Sequence, residues 1–274
     1  MKNISERIID SLVDSHNINV DVASRIFKKG LGSLFEIDWE GDAQVFIVDF
    51  HDAREIATRP ELVGKLFLEM NYRTAVFAGK AILNLLDIRD CVFVHVLRAS
   101  PGYMLSKALK REVEMYEMKL RAFYTKPSTG DHTEAKVKVR YVTTPSRFSD
   151  TIIIADTIAS GKTMEAVLKK VLKIEEVDRI ILYGFISKNG LERIEKTFKN
   201  VAELYFFVLE DLTALSENHY DMPLYGPDLE AFSKRRKIKL LGSIVPYEAL
   251  EGMLPYYVPG LDQPGDWSER QPIL

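Results

Sequence analysis

The stretch that decides the fold reads Thr151-Ile-Ile-Ile-Ala-Asp-Thr-Ile-Ala-Ser-Gly-Lys-Thr163. Its first five residues are almost all apolar and β-branched, which is typical of a strand buried on both faces of a sheet. Small and polar residues follow at once, and a helical pattern begins near Gly161 and runs to Leu172. We therefore predict a buried strand that ends at Asp156, then a tight turn, then a helix.

The same alternation recurs on both sides of this stretch. Short apolar runs predict further strands, and apolar residues at helical spacing between them predict helices. Because strands and helices alternate, the connections cross over, and we predict an α/β fold with a mostly parallel sheet of about five strands flanked by helices. The predicted strands cover 92–97, 151–155, 180–185 and 204–208, and the predicted helices cover 61–86, 106–111, 162–172 and 191–198.

Apolar patterning divides the chain into three parts. Residues 1–60 are predicted to form an N-terminal extension with one helix and one strand, the strand at 45–50. The α/β core is predicted to cover 61–210. Residues 211–274 are rich in Pro, Gly and Tyr and lack clear periodicity, which predicts a loop-rich hood and a C-terminal extension.

A polar stretch interrupts the core between two apolar-rich segments. The polar residues are 126–136, and the flanking segments are 116–124 and 137–142. This pattern predicts a long hairpin whose flexible tip could close over a site.

Composition excludes several classes of protein. The 274 residues include 37 Lys and Arg against 40 Asp and Glu, a net charge of -3, which argues against extensive nucleic-acid binding. A single cysteine, Cys91, excludes an internal disulfide and a Cys-rich zinc site. No apolar run approaches the roughly 18 residues of a membrane span, and the N-terminus lacks an apolar signal core. We expect a cytoplasmic protein without a membrane partner.

The turn after the predicted strand is suited to bind an anion. Successive backbone N–H groups and the start of a helix attract a phosphate. Ser160 and Thr163 add hydroxyl donors, and Gly161 is expected to let the phosphate approach the backbone. A valine at 161 is accordingly expected to block phosphate while sparing the fold. Asp156, at the strand end, could hold a sugar hydroxyl, so the set predicts a site for a sugar 5-phosphate.

Two other interpretations fit the same residues. A P-loop requires G-x-x-x-x-G-K-[ST], and this segment supplies all of it except the first glycine. Asp156 stands in that position, where its side chain would crowd a β-phosphate. The second alternative is an ordinary cap turn between a strand and a helix, with no ligand.

The segment also resembles the phosphoribosyl-pyrophosphate motif of the type I phosphoribosyltransferases. Val94-His-Val-Leu-Arg-Ala-Ser-Pro-Gly102 resembles the V-P-I-L-R-A-G-L-G turn of the uracil phosphoribosyltransferases. Leu215-Ser-Glu-Asn-His-Tyr220 resembles their L-N-E-N-G-Y. The resemblance covers roughly residues 60–230 and implies the type I phosphoribosyltransferase fold.

The resemblance implies transfer of ribose 5-phosphate from phosphoribosyl pyrophosphate to a nucleobase, with Mg²⁺ on the pyrophosphate, in a homodimer. Asp156 and Arg98 inherit the catalytic roles, with Arg98 neutralising the pyrophosphate. The residues implied to bind phosphoribosyl pyrophosphate are Arg98, Ala99, Ser100, Arg121, Asp156, Thr157, Ile158, Ala159, Ser160, Gly161, Lys162 and Thr163.

The base implied by the resemblance is a pyrimidine such as uracil. Uracil enzymes carry the segment G-Y-I-V-P-G-L-G-D-A-G-D, and this chain has two partial matches to it. The match by position after the last strand gives Tyr220, Asp221, Gly226 and Asp228. The match by letters lies later in the chain and gives Tyr257, Asp262 and Gln263, with Gln263 in the place of an acid.

The chain departs from the family pattern in three places. Ala155 stands where the family usually has an acid, Pro101 removes a backbone N–H from the pyrophosphate turn, and the base-binding segment has only partial matches. The missing acid at 155 and the unassigned acid of the base-binding segment favour a second function. The alternative is a catalytically silent homologue that binds phosphoribosyl pyrophosphate or a nucleotide and acts as a regulator.

Overall fold

The computed structural model describes residues 23–29, 32–58, 62–97, 99–124, 135–210 and 212. Within these residues, nine strands form one sheet in the order β1-β2-β3-β9-β8-β7-β4-β5-β6. The strands are β1 (Ala23–Lys29), β2 (Gly32–Ile37), β3 (Gln44–Phe50), β4 (Asp90–Leu97), β5 (Glu114–Tyr124), β6 (Val137–Arg140), β7 (Thr151–Ala155), β8 (Arg179–Gly184) and β9 (Glu203–Leu209).

Helices connect the strands in the described part of the chain. Two lie between β3 and β4, two short ones between β4 and β5, and one follows each of β7 and β8. They are α1 (His51–Thr58), α2 (Gly64–Leu85), a 3₁₀ helix (Ser100–Tyr103), α3 (Leu105–Leu109), α4 (Lys162–Val171) and α5 (Lys188–Phe198). None of the described helices is both long and apolar enough to cross a membrane.

The centre of the sheet is parallel, as the alternating pattern predicts. Strands β3, β9, β8, β7, β4 and β5 run parallel to one another, and the pairs β1–β2, β2–β3 and β5–β6 are antiparallel. Every residue of β7 is buried, which is the reason for its continuous apolar run. The prediction of a mostly parallel sheet flanked by helices is confirmed.

The two faces of the sheet carry separate apolar layers. On one face Ile153 and Ala155 of β7 belong to the layer that includes Phe67 and Ala78 of α2. On the other face Ile152 and Ile154 belong to the layer that includes residues of α4 and α5. Alternate side chains of one strand therefore pack against helices on opposite sides.

The sheet extends further toward the N-terminus than predicted. The strand expected at 45–50 is confirmed as β3, but β1 and β2 were not predicted. Six of the nine described strands form the parallel part of the sheet, against about five predicted. β3 pairs in parallel with β9, and Phe46 stacks on Phe207 with ring centroids 4.9 Å apart. β2 is short and alternates buried and exposed positions near its end, so it lacks the continuous apolar run of an inner strand. The helix predicted before β1 lies outside the described residues.

The predicted hairpin is only partly separate from the sheet. β5 pairs in parallel with β4 along Glu114–Arg121, and only Arg121–Tyr124 pair with β6. Most of the first arm therefore belongs to the main sheet through its pairing with β4 and is not a free flap. Residues 125–134, which include most of the predicted tip, lie outside the described residues.

Candidate functional site

The loop after β7 lies at the carboxyl end of the sheet, where parallel strands present ligand sites. Asp156 follows the last residue of β7, and its N–H donates to the carbonyl of Tyr183 on β8 at 3.0 Å. The N–H of Ile158 donates to the carbonyl of Phe185 at 2.9 Å. Helix α4 begins at Lys162, so the predicted order of strand, turn and helix is confirmed.

The carboxyl group of Asp156 is buried at this strand end. The residue is 6% exposed, and its Oδ1 accepts a hydrogen bond from the N–H of Thr157 at 2.9 Å. Burial raises the pKa of Asp156 to about 7, and the Thr157 hydrogen bond opposes that shift. A ligand that donated further hydrogen bonds to this carboxylate would favour its ionised form.

A tyrosine connects this loop to the turn after β4. β4 and β7 are neighbours in the sheet, so both turns lie at the same edge. The hydroxyls of Tyr103 and Thr157 are 2.5 Å apart, and the N–H of Phe185 donates to the Tyr103 oxygen at 3.5 Å. Sequence reasoning missed Tyr103, because its partner is 54 positions away and no local pattern indicates the contact.

The turn after β4 accommodates Pro101 without cost to the local fold. Pro101 lies in the first turn of the 3₁₀ helix, where a backbone N–H has no partner within the helix. The N–H of Gly102 donates to the carbonyl of Ala99 at 3.0 Å. The hydroxyl of Ser100 is buried and has no partner among the described residues, so a ligand could satisfy it.

Two residues predicted for the site lie on β5 or contact it. Arg121 is exposed, lies opposite Leu97 at the carboxyl end of β4, and stacks over the ring of Phe123 at 4.7 Å. The hydroxyl of Thr163, expected as a phosphate donor, instead donates to the hydroxyl of Tyr124 at 3.2 Å. β5 and the first turn of α4 are therefore connected directly.

Contacts within the protein give Gly161 a structural requirement that the sequence did not indicate. Its φ is +73°, in the left-handed region, and a Cβ there would lie 2.9 Å from the carbonyl oxygen of Gly190. That Cβ would point at α5, so a side chain would clash with the protein backbone. The expectation that valine at 161 would leave the fold intact is wrong.

The structure brings part of the predicted set together at one edge. At the carboxyl edge lie the turn after β4, with Ala99 and Ser100, and Arg121 of β5, opposite the end of β4. The same edge holds the loop after β7 and the start of α4, with Asp156, Thr157, Ile158, Ala159, Ser160, Gly161, Lys162 and Thr163. The predicted residues that lie outside the described part are Arg98, Tyr220, Asp221, Gly226, Asp228, Tyr257, Asp262 and Gln263.

Replacing Gly161 with Ala should destabilise the protein more than the same change at Gly64. Both glycines have positive φ, but a Cβ at Gly64 would have nothing within 4 Å. We expect Gly64→Ala to cost about 1 kcal/mol and Gly161→Ala at least about 2 kcal/mol in the free energy of unfolding. Urea denaturation of both variants measures the difference, and equal losses would contradict the contact with Gly190.

Removing the Tyr103 hydroxyl should weaken the connection between the two turns. Tyr103→Phe leaves Thr157 without its partner, and we expect a loss of about 1–2 kcal/mol of unfolding free energy. Tyr183 is the matched control: it is buried beside Tyr103, and its hydroxyl has no partner in the part of the chain described. Tyr183→Phe should be neutral or stabilising in thermal and urea unfolding. A loss of similar size in both variants would contradict the assignment.

The raised pKa of Asp156 makes folding stability depend on pH. An unfolded Asp ionises near 3.8 and the folded one near about 7, so the native state binds more protons between these values. Stability should therefore fall as pH rises from about 4 to about 7, by up to about 1.4 kcal/mol per pH unit.

Asp156→Asn should remove that contribution and flatten the profile over this window. Glu210, whose pKa burial raises to about 8, contributes with the same sign in both proteins and cancels in the comparison. The measurement is urea unfolding at several pH values, and identical slopes for the two proteins would refute the burial effect.

Comparisons with known proteins agree with the resemblance that the sequence motifs indicate. No family model matches the chain. A uracil phosphoribosyltransferase of Methanococcus vannielii is 27% identical over 238 residues, which is 85% of this chain and 89% of that protein. One from Thermococcus gammatolerans is 30% identical over 143 residues, 51% of this chain and 60% of that protein.

Solved structures give weaker likenesses. A protein from Aquifex aeolicus has a TM-score of 0.49 and 17% identity, covering 70% of this chain and 99% of that one. A purine phosphoribosyltransferase from Pyrococcus horikoshii has a TM-score of 0.32 and 16% identity, covering 50% and 81%. Likenesses this low add nothing to the sequence relationship. The predicted resemblance is confirmed by the two curated relatives, and the chain is a sequence relative of proteins named uracil phosphoribosyltransferase.

Proposed function

We propose that the protein is a phosphoribosyltransferase that transfers ribose 5-phosphate from phosphoribosyl pyrophosphate to a pyrimidine such as uracil. The observation that carries the proposal is the contact between two turns at the carboxyl edge, through the hydroxyls of Tyr103 and Thr157 at 2.5 Å. One turn is implied to hold a 5-phosphate and the other a pyrophosphate. A ligand with both groups on one ribose requires the two turns to be neighbours.

The loop after β7 would hold the sugar phosphate. Its N–H groups and the N-terminus of α4 would bind the 5-phosphate, because both carry partial positive charge. Asp156 lies at the start of the same loop, and its carboxylate would accept hydrogen bonds from the ribose hydroxyls. The buried position of this carboxyl group strengthens such bonds, since water competes poorly there.

The turn after β4 would hold the pyrophosphate. The Ser100 hydroxyl, which has no partner among the described residues, is a donor in this turn, and Arg121 lies on the adjacent strand β5, opposite the end of β4. The sequence resemblance adds Arg98, which immediately follows β4. Arginine suits this role because its guanidinium can donate two parallel hydrogen bonds to phosphate oxygens.

Magnesium would enter with the substrate. The described residues contain no group of three or more His, Cys, Asp or Glu side chains that could hold a metal ion. Mg²⁺ is commonly bound by one or two carboxylates together with substrate phosphates, so the ion would be carried by the pyrophosphate rather than held by a protein cage. The ion would neutralise charge on the leaving pyrophosphate.

The proposed reaction asks little covalent chemistry of the protein. The bond from ribose C1′ to the pyrophosphate oxygen breaks, and a bond from C1′ to a base nitrogen forms as that nitrogen loses its proton. The bound 5-phosphate and pyrophosphate would fix the ribose between them. The rate enhancement would then come from orientation and from charge stabilisation of the departing pyrophosphate.

A silent binding homologue is the second candidate. The observation that favours it is Ala155, which stands where the family usually has an acid and is completely buried. The loop therefore offers one carboxylate, Asp156, in the place of two. Such a site could bind phosphoribosyl pyrophosphate or a nucleotide without transferring anything.

An assay of nucleotide formation distinguishes the candidates. The purified chain is incubated with phosphoribosyl pyrophosphate, Mg²⁺ and one base at a time, from uracil through other pyrimidines to purines, and calorimetry measures binding. Formation of uridine monophosphate from uracil is the expected result. Binding of both ligands without any product would support the silent homologue. Absence of binding would contradict both candidates, and an ATP titration in the same series tests a P-loop.

Asp156→Asn should lower kcat/KM about 10- to 100-fold while binding of the 5-phosphate largely survives, because one charge-assisted hydrogen bond to the ribose contributes roughly 1.5–3 kcal/mol. Asp178→Asn is the matched control, since Asp178 is exposed at the amino edge of the sheet, next to the start of β8. Its activity should equal the wild type. An unchanged kcat/KM in Asp156→Asn would refute the assigned role.

A further inference from the structure

Three successive carbonyls of the loop after β7 are held by one neighbouring segment. The carbonyl of Ile158 accepts from the N–H of Ser187 at 2.9 Å, and that of Ala159 accepts from the Ser187 hydroxyl at 2.5 Å. The carbonyl of Ser160 accepts from Nε of Arg193 at 2.8 Å. Ser187 precedes α5 and Arg193 lies on it, so all three donors belong to one segment.

The orientation of the N–H groups follows from the planar trans peptide. In each peptide unit the carbonyl and the next residue's N–H point in opposite directions. With the carbonyls of 158–160 directed toward α5, the N–H groups of Ala159, Ser160 and Gly161 point away from it. None of these three N–H groups has a hydrogen-bond acceptor in the described part of the chain. They form a set of donors for an anion.

We propose that Ser187 and Arg193 are positioning residues of the anion loop, which aim the three N–H groups at the 5-phosphate of the substrate by holding the carbonyls behind them. This inference rests on the proposed function, because the phosphate is that of the proposed ribose 5-phosphate group. Neither residue touches the reacting atoms; both act through the loop backbone.

Ser187 is suited to this role because its hydroxyl group makes two hydrogen bonds. It is fully buried, donates to the carbonyl of Ala159, and accepts from the N–H of Gly190 at 2.9 Å, which caps α5. One side chain therefore fixes the loop and the start of the helix together.

Arg193 is itself held in place. Its Nη1 donates to Glu165 of α4 at 3.1 Å, and Lys169 also pairs with Glu165, at 2.5 Å. Two donors of the Arg193 guanidinium are thus directed at protein groups: Nε at the loop carbonyl of Ser160 and Nη1 at Glu165 of α4. The pairing keeps Nε aligned with the carbonyl of Ser160.

Gly190 makes the contact between α5 and the loop possible. A Cβ at this position would lie 2.6 Å from the carbonyl oxygen of Ala159 and 2.8 Å from that of Ile158. Any larger residue would push the helix away from the carbonyls that it holds. The close approach therefore depends on glycine at the first turn of α5.

Calorimetric titration with ribose 5-phosphate tests the role of Arg193. This probe carries the phosphate but no pyrophosphate, and its binding does not depend on turnover. Arg193→Met should bind it about ten-fold more weakly, the loss expected when an oriented N–H bond to a charged group is weakened. Lys196→Met is the matched control: Lys196 is exposed on the same helix and carries the same charge, and its variant should bind like the wild type.

Ser187→Ala tests the same role without a change of charge, and should also weaken ribose 5-phosphate binding about ten-fold. Ser149 is the matched control, because it is a buried serine at the amino edge whose hydroxyl donates to the carbonyl of Asp90 and accepts from the N–H of Thr151. Ser149→Ala should lose stability but keep wild-type affinity.

Kinetics separate positioning from a general loss of structure. In both test variants the KM for phosphoribosyl pyrophosphate should rise with the ribose 5-phosphate dissociation constant, while the KM for the base stays unchanged. Wild-type affinity in both test variants, or equal losses in the controls, would overturn the positioning role alone. Absence of ribose 5-phosphate binding in the wild type would overturn the proposed function as well.

Discussion

The geometry of the site depends on how one loop satisfies its carbonyl groups. A buried loop has to pair its backbone polar atoms, and the loop after β7 pairs the carbonyls of 158–160 with Ser187 and Arg193. Because each peptide is rigid, this pairing also sets the direction of the following N–H groups. The proposed anion-binding surface is therefore the opposite side of a structural contact, and that contact requires α5 to lie very close to the loop.

The parallel arrangement of the central strands supplies the rest of the site. Since β4, β7 and β8 run in the same direction, the segments that follow them meet at one edge. The turn after β4 and the loop after β7 are joined by the hydroxyls of Tyr103 and Thr157, and the segment after β8 contributes Ser187. The two proposed phosphate sites and their support thus come from three consecutive strands of the sheet.

Burial gives this edge an unusual electrostatic character. Asp156 and Glu210 each follow a strand, and the pKa of each carboxyl group is raised by burial. Glu210 has protein partners, the N–H of Phe50 and the guanidinium of Arg54. Within the part of the chain that the structure describes, the Asp156 carboxyl group accepts one hydrogen bond, from the N–H of the adjacent Thr157, so ligand donors could compensate for its burial in a way that Glu210 does not need. This difference is why we propose Asp156, rather than Glu210, as the acid that contacts the substrate.

The sequence by itself determined the order of the strands and helices in the core, the strand that leads into Asp156, and the loop that precedes α4, because apolar periodicity and turn residues are local signals. Only the tertiary structure decided the contacts around that loop: Tyr103 meets Thr157 across 54 positions, Ser187 meets Ala159 across 28, and Arg193 meets Ser160 across 33. It also decided that Gly161 packs closely against Gly190, and that β1 and β2 extend the sheet. Such contacts leave no periodic trace in the chain, since they depend on which segments the fold brings side by side.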